Sequence, residues 1–153
     1  MLSLLGTAAV GSAGCTRLFR NEFRLHFVRV FNYRASEINI GVRVLRDGDI
    51  VFETESETVL GFDAVDEDPD PYYMDGPNVH VIESEWEAEP AVYDLEYLVA
   101  GRESWEEASF EEPETEHAAL NLSVLKNRSV TVGTLEFEDR DELNYLLDRE
   151  YRD

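Results

Sequence analysis

Apolar and polar residues alternate with period two along most of this chain, the mark of half-buried strands. Ile38, Ile40, Val42 and Val44 alternate with Asn39, Gly41 and Arg43, which predicts the clearest strand. Asp47-Gly48 follows, and glycine tolerates the positive φ of a tight hairpin, so Ile50 to Thr54 is expected to fold back. Thr58 to Phe62 reads as a further short strand, Val79 to Trp86 as the next, and Ser104 to Phe110 as another. Tyr93, Leu95, Tyr97 and Val99 alternate with Asp94, Glu96 and Leu98. Leu120, Leu122 and Val124 are expected to pair with Val130 and Val132 across the Lys126 to Ser129 turn. Between Phe23 and Phe31 the parity switches near Phe27-Val28, which predicts a bulge or a change of sheet.

The last segment changes period. Leu143, Leu146 and Leu147 fall on one helical face, and Asp139 to Asp141 precede them as capping residues. About eight short strands at regular spacing, with almost no helix, predict an all-β antiparallel β-sandwich. The expected organisation is a signal-like segment over 1–14, a tether over 15–22, the sandwich over 23–138 and a helical tail over 139–153.

Charge changes this picture from a generic sandwich to a specialised one. The 153 residues carry 34 acidic and 13 basic side chains, a net charge of -21, and Lys126 is the sole lysine. Such self-repulsion destabilises a compact state. It becomes tolerable at about 1 M salt, where the Debye length falls to roughly 3 Å. An acidic, lysine-poor surface is that of a salt-adapted protein. The same field repels phosphates, so no nucleic-acid partner is expected.

The N-terminal stretch LSLLGTAAVGSAG, residues 2–14, bears no charge and is too short to span about 30 Å of hydrocarbon as a helix. It has the length and small-residue ending of a signal-peptide apolar region. Ser12-Ala13-Gly14-Cys15 resembles a lipobox, in which the chain is cut before a cysteine that is then lipidated. Cys15 is the sole cysteine and stands where the apolar run ends. No basic residue precedes Arg17, and the stretch resembles the latter part of a twin-arginine lipoprotein signal from halophilic archaea. The resemblance implies an extracytoplasmic domain held at the membrane through lipid on Cys15.

A second set of residues carries a wider resemblance, over residues 25 to 135. Val30-Phe31-Asn32 leads to a hairpin built on Val42-Arg43-Val44, Asp47-Gly48 and Ile50-Val51-Phe52. Glu89-Pro90-Ala91-Val92-Tyr93-Asp94-Leu95 then follows. These resemble the small immunoglobulin-like lipoproteins of halophilic archaea, whose late strand carries a glycine where Ala91 stands here.

Candidate chemistry is sparse. His26 and His80 fall in predicted strands and His117 in an acidic loop, far apart in sequence, and a lone strand histidine is usually structural or exposed. No P-loop, nucleophile elbow or zinc spacing occurs, and a blue-copper site lacks its thiolate. No catalytic residue and no cofactor are therefore expected. Asp63, Asp66, Glu67, Asp68, Asp70 and Asp75 lie in one Pro-containing loop and offer hard oxygen ligands for Ca²⁺. Their spacing is not that of an EF-hand, and a solvated salt-adapted loop is the better explanation for them. Asn121-Leu122-Ser123 and Asn127-Arg128-Ser129 are sequons, the second in a predicted turn. The reading is a membrane-tethered binding or structural module whose partner is an envelope protein or glycan. Any ligand is expected on the Asp63 to Pro77 or the Glu111 to Glu116 loop. A cytoplasmic salt-adapted domain and a carboxylate-based hydrolase are the alternatives.

Overall fold

The computed structural model describes residues 20–61, 78–83, 85–139 and 141–144. Among the described residues, eight strands form two four-stranded sheets. In chain order they are β1 (Arg24–Asn32), β2 (Ile38–Arg46), β3 (Asp49–Val59), β4 (Val79–Glu83), β5 (Tyr93–Val99), β6 (Glu106–Glu107), β7 (His117–Val124) and β8 (Val130–Phe137). One sheet has the order β4-β1-β7-β8 and the other β3-β2-β5-β6. The alternation read from sequence supplies the core. Val28, Val30, Val42, Val44, Leu95, Leu120 and Leu122 point between the sheets and are fully buried.

The expected hairpin forms with Arg46 opposite Asp49, and Asp47 and Gly48 both adopt positive φ, 52° and 89°. The β7–β8 register pairs Val124 with Val130 and Leu122 with Val132. The parity switch in β1 is a bulge: register with β7 shifts between Leu25 and Val28. Leu25 and Val28 both enter the main core, whereas Phe27 turns to the outer face. There it packs with Ala119, Phe137 and Leu143 in a second, smaller cluster.

Three features differ from the sequence reading. Ile50–Thr54 and Thr58 onward are not separate strands; β3 runs unbroken for 11 residues. Its Glu-rich middle has no apolar period, but pairing with β2 carries it across an irregularity between Ile40 and Val42. The predicted Ser104 to Phe110 strand contracts to the two residues of β6, after which the Ala108 amide bonds the Leu95 carbonyl. The sandwich is also not wholly antiparallel, because β1 and β7 run parallel. β4 already occupies the other edge of β1, antiparallel to it, so β7 enters on the remaining side after crossing from the second sheet.

Buried polar groups are used as fasteners. Asn32 is completely buried; its Nδ2 donates to the carbonyls of Ser36, Val59 and Leu60 at 2.9, 3.1 and 3.0 Å, and its Oδ1 accepts from the Arg34 amide. One side chain thus joins the end of β1 to the end of β3. Gly61 lies so close to the Ala35 carbonyl that a Cβ would sit 2.1 Å from its oxygen. Ala91, where the resembled family has glycine, has no positive φ; it bridges Phe23 by two backbone bonds of 3.0 and 3.1 Å. Past β8, the helical turn over 141–144 is capped by Asp139, whose Oδ1 accepts from the Asp141 and Glu142 amides. The rest of the expected C-terminal helix lies outside the described residues. Among the described residues, no helix is long and apolar enough to cross a membrane.

Candidate functional site

Cys15 and the loop carboxylates Asp63, Asp66, Asp68, Asp70 and Asp75 lie outside the described residues. The two sequon asparagines are placed very differently. Asn121 sits mid-strand in β7, and its Oδ1 accepts a 2.8 Å bond from Arg29 Nε. Arg29 is itself buried, with its guanidinium over the rings of Phe27 and Phe31. Asn127 is exposed at the β7–β8 turn, and its Oδ1 accepts from both the amide and the hydroxyl of Ser129.

The larger described cleft, about 570 Å³, opens beside β5 and β6. Arg20, Asp94, Glu107, Ala108, Ser109, Phe110 and Glu112 line it. Strand alternation builds one wall: Leu95 points into the core, which turns Asp94 outward. The irregular stretch after β6 brings Glu112 to the opposite side. Arg20 joins the two walls, bonding Asp94 Oδ1 through Nη1, Glu112 Oε1 through Nε at 2.6 Å and the Tyr93 carbonyl through Nη2 at 3.0 Å. The Asn21 amide donates to the other Glu112 oxygen at 3.0 Å.

Partial burial works to raise the Glu112 pKa, but the Asn21 amide and the Arg20 guanidinium outweigh it and hold the carboxyl below the usual carboxylate range. A carboxylate depressed in the folded state adds stability at neutral pH. That contribution is lost as the pH falls through the depressed value. Three carboxylates face one guanidinium here, and Arg20 engages two of them. Glu107, Ser109 and Phe110 are also on the lining. That set suits a ligand bearing an amine or other cationic donor on a small apolar body.

A smaller cleft of about 390 Å³ lies between the outer strands β3 and β4, lined in part by Phe52, Glu57, His80, Ile82 and Glu83. His80 Nε2 stands 3.4 Å from Glu57 across the two sheets.

Two histidines that look isolated in sequence meet in the fold. His26 Nε2 and His117 Nδ1 are 2.8 Å apart, joined by a hydrogen bond between residues 91 positions distant. They meet through the parallel pairing of β1 with β7, which no pattern in the sequence announces. Among the described residues, no group of three or more histidine, cysteine or carboxylate side chains is arranged to hold a metal. No family model, curated protein or solved structure matches this chain.

Proposed function

We propose that the chain is a salt-adapted, lipid-tethered binding module that works outside the cytoplasm, held to the membrane through Cys15. The Arg20 anchor carries this reading. It fastens the start of the sandwich to Tyr93, Asp94 and Glu112 only five positions after Cys15. Five residues extend at most about 18 Å, so lipid on Cys15 would hold this end of the sandwich near the headgroups. The cleft lined by Arg20 would then face a ligand or partner at the membrane surface. The uncharged 2–14 segment, the Ser12-Ala13-Gly14-Cys15 motif and the likeness to small immunoglobulin-like archaeal lipoproteins support the same reading. The exposed Asn127 turn is the position at which an extracellular glycosyltransferase would act. Binding rather than turnover is the proposed activity, because Arg20 already neutralises two of the cleft carboxylates.

Replacing Cys15 with alanine tests the tether. In cells that make the natural chain, the wild-type protein should partition with membranes and the Cys15→Ala protein should not. Equal membrane association of the two would remove the lipid anchor from the proposal.

A further inference from the structure

We propose that the free edge of β8 is a self-association surface, on which β8 of a second copy of this chain pairs antiparallel about a two-fold axis at Gly133. The pairing joins two β4-β1-β7-β8 sheets into one continuous sheet. It uses neither cleft and stands independently of the tether.

Each sheet ends in two edge strands, and an open edge accepts a further strand unless something blunts it. β3 is blunted by Glu53, Glu55 and Glu57 along its middle. β6 is two glutamates long, and β4 has five residues that include His80 and Glu83. β8 lacks these protections. It runs for eight residues, and Val130-Thr131-Val132-Gly133-Thr134-Leu135 bears no charge in a chain with 34 acidic residues.

The parity of the β7–β8 hairpin says which main-chain groups face that edge. The Leu125 amide donates to the Ser129 carbonyl, so the bonded rungs continue by pairing Ser123 with Thr131, Asn121 with Gly133 and Ala119 with Leu135. Val124 is one position out of step, and its carbonyl accepts from the Tyr33 amide past the end of β1 instead. The N–H and C=O groups of Val130, Val132, Thr134 and Glu136 therefore point away from β7. Among the described residues, none of these groups has a main-chain partner. The loop over 111–115 bonds side chains here and leaves the main chain open: the Thr134 hydroxyl donates to the Glu111 carbonyl, and the Glu136 carboxylate accepts from the Glu114 and Thr115 amides.

Gly133 marks the centre. Glycine weakens a strand interior and often marks a bulge, a tight bend or the close approach of another backbone. The β7–β8 register passes through Gly133 without a shift, and its φ is not positive. A Cβ there would meet nothing within 4 Å. The fold of one chain thus gives no reason for glycine, and the approach of a second backbone does. With the axis at Gly133, the two glycines form a non-hydrogen-bonded pair, the closer kind, with Cα atoms about 4.5 Å apart. Val132 then lies opposite Thr134 of the second copy and Val130 opposite its Glu136. These are the residues whose free main-chain groups face the edge, so each such rung exchanges two hydrogen bonds.

The same register suits the local charges. It carries the turn of each copy, with Lys126 and Arg128 exposed, toward the exposed Glu136 and Glu138 of the other. The net charge of -21 on each copy opposes association, and concentrated salt screens that repulsion. A two-fold contact presents the same surface on both copies, so the assembly closes at two chains.

Sedimentation equilibrium of the full chain over a dilution series in about 2 M KCl tests the association, with amide hydrogen exchange read by NMR at both ends of the series. The mass should rise from one chain to two with concentration. In the dimer the amides of Val130, Val132, Thr134 and Glu136 should exchange at least about tenfold more slowly than in the monomer. Those of Thr131, Gly133 and Leu135, already bonded to β7, should change little. This comparison needs no variant to fold. Thr134→Pro removes an outward N–H from an edge that tolerates proline, and should weaken the dimer by at least about tenfold. Thr134→Val loses the same hydroxyl bond to Glu111 but keeps the amide, and should dimerise as the wild type does. A single-chain mass at every concentration would overturn the proposal. So would a dimer whose four outward amides stay in fast exchange, undiminished association of Thr134→Pro, or an equal loss in Thr134→Val.

Discussion

Leu95→Ala should lower the unfolding free energy by about 2–5 kcal/mol, the range for truncating a buried leucine. Leu95 is completely buried, opposite Val44 of β2 in the main core. The neighbouring Glu96→Ala should change stability by less than about 1 kcal/mol, because a half-exposed ion pair contributes little. Its contact is with Arg43 on the outer face, at 3.4 Å. The two substitutions are adjacent in sequence and of similar size in atoms removed. Only the face of β5 separates them. Urea denaturation of both variants measures the difference, and equal losses would mean that the face assignment of β5 is wrong.

Raising KCl from 0.1 to 2 M should raise the midpoint of thermal unfolding by about 10 °C or more. The Debye length falls from about 10 Å to less than 3 Å over that range, which screens repulsion among surface carboxylates. Screening also weakens the ion pairs made by Arg20, Arg24, Arg43, Arg46 and Arg102. Half-exposed pairs are worth only about 0–1 kcal/mol each. Against them stands a residual charge of -21, so relief of repulsion should dominate. A few kcal/mol of relief corresponds to roughly 10 °C for a domain of this size. A melting midpoint that stays flat or falls with KCl would contradict salt adaptation.

Local alternation made much of the fold legible. β2, β5 and the β7–β8 hairpin each place one apolar row on a buried face, and a slip of one residue would expose that row. The β1 bulge was visible as a switch of parity at Phe27-Val28, although the alternation groups Phe27 with Leu25, whereas the fold sends Leu25 and Val28 to the main core and Phe27 to the second cluster. β3 was read as two pieces because an outer strand with Glu53, Glu55 and Glu57 carries no apolar period. What holds it is backbone pairing with β2, which no side-chain pattern announces. The parallel β1–β7 pair was equally hidden, because it joins segments almost the full domain apart.

The candidate sites were less legible than the fold. Arg20 reaches Asp94 and Glu112 across 74 and 92 positions, in a chain where 34 acidic residues make no single pair distinctive. His26 and His117 meet through the same long-range pairing of β1 with β7. The predicted turn already set the Asn127 sequon apart from that of Asn121, but the bond that Asn121 accepts from Arg29 was not legible.

The central claim is that this domain is held to a membrane by lipid on Cys15. Mass spectrometry of the protein isolated from its native cells tests it most directly. The account predicts an N-terminal peptide that begins at Cys15 and carries the added mass of lipid. A chain that retains residues 1–14, or one that begins at Cys15 without lipid, would contradict it.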